Sequence, residues 1–357
     1  MNPASITKKV AVFDVRNGYA DRGTEMEGFY SGYHNTRRQK TMNITILGTS
    51  GAIGHTGFTD ANVPDQSGKC IIVTGANTGI GFEVSQVLAA RGARVLLACR
   101  NQAKAKAAMD RIRRKTPGAD LAFLPLDLAD LASVRSAAEL ASKEPRIDVL
   151  INNAGVQGSK LRHTVQGFEL TFGVNHLGCF AFTALLLPKL METPGSRIVV
   201  TSSGQHKDAK IEWEDLNAEK SYKWLPRYAA SKLANLLFVF ELDQRLQAAE
   251  APVTVVACHP GLVGTDLGRD SMAGKVLMPL IGLFFATPAM GAWGALHAAT
   301  GKIKPSGYYG PSGLRELRGP SRECSCSEQA RDPKLAKRLW DVSVDMTGID
   351  PGLPPVI

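Results

Sequence analysis

Residues Cys70–Gly81 read CIIVTGANTGIG, a short β-branched apolar run that breaks into a glycine-rich turn. The residues that follow, FEVSQVLAARG (82–92), have the apolar spacing of a helix and end at Gly92, a natural helix terminator. Backbone N–H groups at a helix N-terminus bind anions, so a strand, a glycine turn and a helix in succession predict a phosphate-binding loop. Residues 70–92 therefore predict the first strand–loop–helix unit of an α/β fold.

A second glycine-rich stretch, NITILGTSGAIG, lies upstream at Asn43–Gly54. The residues after it, HTGFTDANVPDQSGK (55–69), contain Pro and Gly and show no apolar face, so they do not predict a helix. We interpret this stretch as a strand or extended leader and not as a second nucleotide site. Residues 1–66 are predicted to be an N-terminal extension, poorly ordered in part, with Met42 as an alternative start.

From Cys70 onward, apolar runs alternate with helical periods. The predicted strands are Cys70–Thr74, Arg94–Cys99, Ala122–Leu126, Val149–Asn152, Arg197–Thr201 and Val253–Cys258. The predicted helices are Phe82–Arg91, Ala103–Lys115, Leu131–Ser142 and Tyr228–Ala248. This alternation predicts an α/β fold over residues 67–350, a doubly wound parallel sheet with helices on both faces. The tail from Arg315 onward is predicted to be a loop followed by one amphipathic helix.

Composition limits the function classes. The formal net charge is +9, but the basic residues are scattered and show no zinc-finger spacing or interleaving with aromatic residues, so we expect no nucleic-acid partner. We see no 18-residue apolar stretch and no secretory segment, and therefore expect no transmembrane helix. The six cysteines fit a reducing compartment, and we expect a cytoplasmic protein.

Neither cysteines nor histidines have metal-ligand spacing. Cys324 and Cys326 form a lone C-x-C without a second pair, so we expect no metal site. His176, His206 and His259 follow predicted strand ends or lie near them, but none belongs to an H-x-x-x-H pair. We interpret these histidines as packing or hydrogen-bonding groups, with His206 the strongest exception because it lies three residues after Ser203.

Tyr228–Lys232 read YAASK within a helical period. Residues four apart lie on the same face of a helix, so the phenol and the ammonium face one site. A nearby ammonium favours the phenolate, which makes such a pair suited to proton transfer near neutral pH. Y-x-x-x-K alone is a weak signal. Here it follows a TGxxxGxG loop, an Asn-Asn-Ala-Gly strand end and a Ser-Ser strand end, in that order.

With these motifs, the chain resembles the short-chain dehydrogenase/reductase superfamily and is most similar to its retinol-dehydrogenase and WW-domain-oxidoreductase branch. The resemblance covers Gly68 to Gly348. It rests on TGANTGIG (74–81), LACRN (97–101), LDL (126–128), NNAG (152–155), VNHLG (174–178), TSSGQH (201–206), YAASKLAN (228–235) and HPGLVGT (259–265). The resemblance implies a Rossmann fold and a hydride-transferring oxidoreductase that uses a nicotinamide cofactor.

The resemblance also implies a catalytic tetrad. Tyr228 would be the general acid in carbonyl reduction and the base in alcohol oxidation. Lys232 would lower its pKa and hydrogen-bond the nicotinamide ribose. Ser203 would hydrogen-bond the substrate oxygen, and Asn175 would hold a water that connects Lys232 to solvent.

Further positions map onto cofactor contacts of the family. Besides Tyr228 and Lys232, they are Gly75, Asn77, Thr78, Gly79, Ile80, Gly81, Arg100, Asn101, Asp127, Leu128, Asn153, Ala154, Gly155, Pro260, Gly261, Val263 and Thr265. An NAD-preferring site places a carboxylate at the end of the second strand, on the ribose 2′-OH. That strand end reads Ala98-Cys99-Arg100-Asn101 and contains no acid. Because a guanidinium can grip a 2′-phosphate, we expect NADP(H) to be preferred over NAD(H).

The substrate end follows the Pro260-Gly261 turn. Residues 267–296 are rich in Met, Leu and Phe, and we predict that they form an apolar lid over a lipophilic substrate. A core helix or dimer contact is an equal alternative for this segment, and peripheral membrane contact is a third. The predicted activity is hydride transfer between nicotinamide and a lipophilic carbonyl compound or alcohol.

Two other functions stay open on the sequence. One is a C=C double-bond reductase of the protochlorophyllide reductase type, which shares the Tyr-x-x-x-Lys arrangement. The other is a non-catalytic NADP-binding regulator. The resemblance also suggests a homodimer or homotetramer, with the helices around Phe180–Leu190 and Tyr228–Leu246 at the interface.

Overall fold

The computed structural model describes residues 57–263, 286–313 and 315–356. Within them the chain forms eight strands: β1 (Cys70–Thr74), β2 (Arg94–Cys99), β3 (Leu121–Pro125), β4 (Val149–Asn152), β5 (Ser196–Thr201), β6 (Val253–Cys258), β7 (Tyr308–Gly313) and β8 (Arg318–Glu323). The longer helices are α1 (Gly79–Ala90), α2 (Gln102–Lys115), α3 (Leu131–Ala141), α4 (Leu170–Met191), α5 (Trp224–Ala248), α6 (Pro288–Thr300) and α7 (Pro333–Thr347). The Asn43–Gly54 stretch, Thr265 and the apolar part of the predicted lid lie outside the described residues.

One sheet organises the fold, with the strand order β3-β2-β1-β4-β5-β6-β7-β8. Neighbouring strands from β3 to β7 run parallel, and β8 pairs antiparallel with β7. The chain leaves β1 for β2 and β3 and then returns to the other side of β1 as β4. Such a reversal opens a crevice at the carboxyl ends of the strands. The predicted doubly wound α/β fold is confirmed.

Two helical layers bury the sheet. Side chains alternate along each strand, so Cys70 and Ile72 of β1 pack with α3, α4, α5 and α7, whereas Ile71 and Val73 pack with α1, α2 and α6. Because both faces are covered, strands β1 to β6 are mostly apolar. This is why continuous apolar runs located the six parallel strands β1 to β6 within one residue at each end.

The C-terminal part differs from the prediction. Residues 318–323 form β8, which pairs with β7 where a loop was expected. The two strands read YYGPSG and RGPSRE, which contain Gly, Pro and charged residues and no apolar run. Strand β8 lies at the edge of the sheet, and β7 pairs with β6 only at Tyr308 and Tyr309, so the Gly- and Pro-containing segments have a partner on one side alone, which such residues tolerate. Pattern reading therefore missed both strands.

The amphipathic C-terminal helix predicted from the tail is present as α7. Its Trp340 ring meets the rings of Phe180 (5.4 Å between centroids) and Phe238 (6.2 Å), which lie on α4 and α5. The Arg245 guanidinium lies 4.3 Å from the centre of the same indole ring. Part of the surface that was expected at a subunit interface is therefore covered by α7 of the same chain.

Helix α4 is 22 residues long, with a mean hydropathy of 1.6 over its most apolar window. By length and composition it could cross a membrane, so the expectation of no such stretch was wrong. Asn175, His176 and Lys189 interrupt the run of apolar residues, so the sequence pattern did not indicate one long apolar helix. In the fold, 89% of that window is buried inside the protein, as in the core helix of a globular domain.

His176 lies at the centre of this buried layer and makes stability depend on pH. Burial lowers the pKa of His176 to about 3, and the nearby Asn235 side chain opposes the shift less strongly. The folded pKa lies below the ordinary value of 6.5, so the unfolded chain binds more protons between these limits. The contribution of His176 to stability is thus complete above pH 6.5 and is lost as the pH falls towards 3.

We expect the free energy of unfolding of His176→Gln to fall less steeply with acid than that of the wild type. The difference in slope below pH 6 should approach about 1.4 kcal/mol per pH unit, the value for one titrating group. Urea unfolding at a series of pH values from 4 to 8 measures it. His163→Gln, at an exposed histidine, is the control. Equal slopes for wild type and His176→Gln would show that His176 is not the group responsible.

Candidate active site

A cleft of about 670 Å³ lies at the carboxyl ends of the strands, at the reversal between β1 and β4. Its wall is formed by the loops after β1, β2, β3 and β4 and by the start of α4. The lining residues are Thr74, Gly75, Asn77, Thr78, Ile80, Gly81, Ala98, Cys99, Arg100, Lys104, Leu126, Asp127, Leu128, Ala129, Asn153, Ala154, Gly155, Val156, Arg162, His163, Thr164, Val165, Leu170 and Val174. Most of the predicted cofactor contacts before residue 156 thus share one cavity.

The glycine loop has the backbone shape that glycine permits. Gly75 has φ of 68° and Gly79 has φ of 55°, both in the left-handed region that other residues avoid. A Cβ on Gly81 would lie 2.5 Å from the Gly75 carbonyl oxygen and 2.6 Å from Asn153 Nδ2. Close packing therefore requires glycine at position 81. Gly79 itself begins α1 and lies outside the lining set.

Thr74 and Asn153 tie the ends of β1 and β4 together beneath the cleft. The Asn153 side-chain amide donates to the Thr74 carbonyl oxygen (2.9 Å). The Thr74 hydroxyl oxygen accepts from the N–H groups of Asn153 (3.0 Å) and Ala154 (2.9 Å). The Asn153 side chain therefore cross-links strands, which fixes the floor of the cleft.

Two cations reach the cleft beside β2. Arg100 directly follows β2, and Lys104 lies one helical turn later on α2; both are exposed and both line the cavity. Asn101 caps α2, since its side-chain oxygen accepts from the Lys104 N–H (2.9 Å), and it lies outside the lining set. Its position sets the start of the helix and thereby the direction of Lys104.

The turn after β3 lines the same cleft with Asp127 and Leu128. One Asp127 carboxylate oxygen accepts from the Ala129 N–H (3.0 Å), and the Asp127 N–H donates to the Ser133 hydroxyl (2.9 Å). These bonds hold the turn rigid on α3. The Leu128 backbone is also fixed, because Gly178 of α4 packs against its carbonyl oxygen.

Lys232 and Asn175 form the buried part of the predicted tetrad. Lys232 is 3% exposed, and its ammonium donates to the Thr201 carbonyl oxygen at the end of β5 (3.0 Å). Asn175 accepts from the Val156 N–H (2.7 Å) and donates to the Val156 carbonyl oxygen (2.9 Å) and the Ser231 hydroxyl (3.0 Å). Asn175 thus joins the loop after β4 to the helix that carries Lys232.

Gly155 connects the tetrad with the cleft. A Cβ at this position would lie 3.3 Å from Asn175 Oδ1 and 3.4 Å from Lys232 Nζ, so the backbone passes directly over both groups. Asn175 itself lies in a π-helical turn, Gly173–Leu177, within α4. Such turns are rare and frequently mark functional sites because they redirect one side chain from the regular helical path.

Ser203 and Tyr228 are the half-buried members. Ser203 follows β5 and caps the short helix Gly204–Asp208, where its hydroxyl oxygen accepts from the Gln205 N–H (3.3 Å). Tyr228 lies on α5 one turn before Lys232, and the Lys232 ammonium is 5.7 Å from the centre of its ring. The Ser203 hydroxyl thus lies just after the end of β5. The Tyr228 hydroxyl lies on α5 near Lys232, whose ammonium is fixed by its buried hydrogen bond to the Thr201 carbonyl oxygen.

The turn after β6 approaches the glycine loop from the opposite side. Gly261 has φ of 74°, and Val263 pairs with Ala286 in a short bridge. A Cβ on Gly291 of α6 would lie 2.6 Å from Val263 Cγ2 and 3.2 Å from Ile80 Cγ1, so Val263 and Ile80 share one contact. Pro260, Gly261 and Val263 lie outside the lining set of the cleft. Residues 288–296 of the predicted lid belong to the core helix α6.

The sequence did not indicate several residues that line the cleft or contact the tetrad. Lys104 could have been found by placing it one turn after Arg100 on the predicted helix. Arg162 and His163 lie in the loop between β4 and α4, in the part after the NNAG motif, where the sequence carries no motif. Ser231, which receives a hydrogen bond from Asn175, lies inside the YAASK motif but was treated as a spacer.

The cleft suits an elongated dianionic group. The N-terminus of α1 offers backbone N–H groups without a side-chain cap from Thr78, and a helix N-terminus favours negative charge. The Gly81 position leaves no room for a side chain beside this turn, and two cationic side chains line the cleft on the β2 side. The residues present therefore fit a dinucleotide with a pyrophosphate bridge.

Comparison with known proteins gives a consistent result. A sequence model of the short chain dehydrogenase family matches residues 69–275. Retinol dehydrogenase 12 of Mus musculus is 42% identical over 294 residues, which make up 82% of this chain and 89% of that protein.

Two solved structures show the same fold. An uncharacterized protein from Mycobacterium paratuberculosis aligns with a TM-score of 0.70 and 37% identity, covering 83% of this chain and 99% of that chain. A protein from Beutenbergia cavernae, described as an NAD(P)-dependent gluconate 5-dehydrogenase with NADP bound at low occupancy, aligns with a TM-score of 0.54 and 25% identity. That alignment covers 66% of this chain and 91% of the other.

Proposed function

The chain belongs to the short-chain dehydrogenase family, in the branch of the retinol dehydrogenases, and from this premise we propose that it transfers a hydride between NADP(H) and a lipophilic alcohol or carbonyl compound. Membership makes it an oxidoreductase acting on CH–OH donors with a nicotinamide cofactor. The observation that carries the proposal is the contact of Gly155 with both Lys232 and Asn175, because it joins a dinucleotide-sized cleft to a proton-transfer group.

A nicotinamide cofactor held in the cleft would supply the hydride or accept it. The chain's own residues bind and orient the cofactor and the substrate, and they move the proton. Tyr228 gives its phenolic proton to the substrate oxygen during reduction and takes it back during alcohol oxidation. Lys232 is held by the Thr201 carbonyl oxygen, so its charge stays one turn from the phenol and favours the phenolate that remains after proton transfer.

Ser203 and Asn175 complete the relay. Ser203 would donate its hydroxyl proton to the substrate oxygen and fix its position beside Tyr228. Asn175 holds the Val156 backbone from both sides, so the loop that passes over Lys232 keeps one conformation. Positioning of this kind lowers the reaction barrier because the groups need no reorganisation when the proton moves.

Arg100 and Lys104 support the choice of NADP(H). A carboxylate at the end of β2 would repel a 2′-phosphate, whereas the chain has a guanidinium there and an ammonium one turn later. The Beutenbergia relative of the same fold was solved with NADP. The lipophilic substrate is supported by the retinol dehydrogenase relatives, whose named substrate is an apolar alcohol.

We expect Arg100→Asp to weaken NADPH binding by about 10- to 100-fold, the range for a lost charge-assisted hydrogen bond. NADH binding should stay the same or improve, since that cofactor has no 2′-phosphate. Lys104→Ala should weaken NADPH binding less. Titration of both cofactors by fluorescence measures the constants.

Lys106→Asp is the matched control, because it makes the same change of charge on α2 at an exposed position outside the cleft. It should leave the ratio of NADPH to NADH affinity unchanged. If Arg100→Asp keeps the NADPH affinity of the wild type, the cofactor preference does not depend on this strand end.

The activity itself is tested with the purified protein and a panel of aromatic, aliphatic and isoprenoid aldehydes and ketones. Oxidation of NADPH and of NADH is followed for each compound, and products are identified. NADPH-dependent formation of alcohols supports the proposal. Saturated products from conjugated substrates would instead indicate a C=C reductase, and tight NADPH binding without any turnover would indicate a regulator.

A further inference from the structure

A second group of chemically active side chains lies on the other side of β5, away from the cofactor cleft. It consists of His259, Glu316 and Cys324, which we name the hairpin cluster. His259 follows β6, Glu316 lies in the connection between β7 and β8, and Cys324 follows β8. The metal-ligating atoms of these three side chains all lie within 4.8 Å of one another.

His259 has a ring nitrogen with no hydrogen-bond partner within the described structure. The side chain is 1% exposed, Nδ1 accepts from the Gly261 N–H (3.3 Å), and Nε2 is buried and unpaired among the described residues. A buried polar atom without a partner costs free energy and therefore needs an explanation. The ring cannot shift towards β7, because it lies directly against the Gly310 backbone.

The other two members of the cluster bring charge and a soft donor. Glu316 is half-buried, and its Oε2 accepts from the Lys207 ammonium (2.9 Å), a cation that faces the cluster from the helix after Ser203. The Cys324 thiol donates to the Arg322 carbonyl oxygen (3.5 Å), and the Gly310 backbone also faces the sulfur. His206 and Tyr308 also face the cluster, with the Tyr308 ring 5.0 Å from that of His259.

We propose that His259 Nε2, the Glu316 carboxylate and Cys324 Sγ bind a divalent cation of the zinc type, with water as the fourth ligand. Imidazole, carboxylate and thiolate are the three donor types that Zn²⁺ combines in tetrahedral sites. Sulfur and nitrogen donors disfavour Mg²⁺ and Ca²⁺, which take oxygen ligands. The Cys324 thiolate and the Glu316 carboxylate neutralise the two positive charges of the ion. The Lys207 ammonium keeps its hydrogen bond to Glu316 Oε2.

Binding must release a proton. A metal binds the thiolate form of cysteine, so the Cys324 S–H proton must leave when the sulfur becomes a ligand. The S–H bond breaks as the metal–sulfur bond forms, and the proton passes to solvent. The metal would connect the end of β6 to the β7–β8 hairpin, next to the Pro260-Gly261 turn. Sequence spacing cannot reveal this site because its ligands come from three separate segments.

The test uses the full chain, from which bound metal is removed with a chelator and the chelator is then removed by buffer exchange. Zn²⁺ is titrated in competition with a chromophoric chelator, and Co²⁺ is added separately because cobalt–thiolate bonds absorb in the near ultraviolet. We expect one Zn²⁺ per chain and the cobalt–thiolate band. Cys324→Ser should remove the band and weaken Zn²⁺ binding at least about 100-fold, more than the loss of an outer partner causes. Cys326→Ser, the matched control two residues away, should keep both.

Glu316→Gln is a second variant at a half-buried position, and it should weaken Zn²⁺ binding at least about 10-fold without loss of the cobalt–thiolate band. NADPH binding and thermal unfolding show whether each variant is folded. The proposal is overturned if the wild-type chain binds no stoichiometric Zn²⁺. It is equally overturned if Cys324→Ser binds as tightly as the wild type, or if Cys326→Ser is the variant that loses the band.

Discussion

Tyr228→Phe should reduce kcat for NADPH-dependent carbonyl reduction by about 10²- to 10⁴-fold, the contribution of a positioned general acid. In the proposed relay the phenol is the group that transfers its proton to the substrate oxygen, and its charge partner, Lys232, lies one turn away. Loss of the hydroxyl leaves the hydride source and the binding cleft in place. The affinity for NADPH should therefore change by less than about threefold, since uniform binding is retained.

Steady-state kinetics on the best aldehyde of the panel, together with NADPH titration, separates the two effects. Tyr309→Phe is the matched control: this tyrosine is buried and its hydroxyl oxygen accepts from the Lys304 N–H (2.8 Å), but it lies on β7 away from the tetrad. That variant should keep kcat. A Tyr228→Phe enzyme with wild-type kcat would mean that another group supplies the proton.

Gly81→Ala should cost both stability and cofactor affinity. Its Cβ would meet the Gly75 carbonyl oxygen and the Asn153 amide, two groups that hold the glycine loop and cannot rotate away. Overpacking of this kind costs about 1–3 kcal/mol. Because the displaced atoms belong to the loop itself, we expect NADPH affinity to fall at least about tenfold in addition to a lower Tm.

Urea unfolding and NADPH titration give the two values. Gly204→Ala provides the comparison, since its Cβ would meet no atom within 4 Å and its φ is not in the left-handed region. That variant should bind NADPH as the wild type does. Should Gly81→Ala unfold at the wild-type urea concentration and keep the wild-type NADPH affinity, the loop must be able to relax, and the close packing of α1 on β1 is not required for binding.

The parallel strands could be predicted from the sequence because they are buried on both faces of the sheet. Six apolar runs bounded by turn residues located β1 to β6, and the helical periods located α1 to α3 and most of α5. The start of α5 was missed by four residues, Trp224 to Arg227, because Pro226 lies within its first turn. A proline is tolerated there, where the backbone N–H has no helical partner.

Strands β7 and β8, on the β8 side of the sheet, could not be predicted from the sequence. Strands β7 and β8 contain Gly, Pro and charged residues, and Tyr308 and Tyr309 alone carry an apolar signal. Their pairing depends on β6 and on the bridge between Phe58 and Ser321, contacts far apart in the chain. Local propensity cannot report contacts of this kind, which are decided by packing of distant segments.

The residues of the site also fall into two groups, those identified from the sequence and those that only the fold brings together. Gly75, Gly81, Lys232 and their motifs were identified from order and spacing along the chain, because a strand–turn–helix unit and a helical turn are local structures. The sequence by itself therefore determined the α/β class, the glycine loop and the identity of the proton-transfer group. Only the tertiary structure decided that Gly155 passes over Lys232 and Asn175, that Lys104 joins Arg100 at the cleft, and that His259 faces Glu316 and Cys324. Those contacts join segments that only folding brings together, so no local pattern in the sequence encodes them.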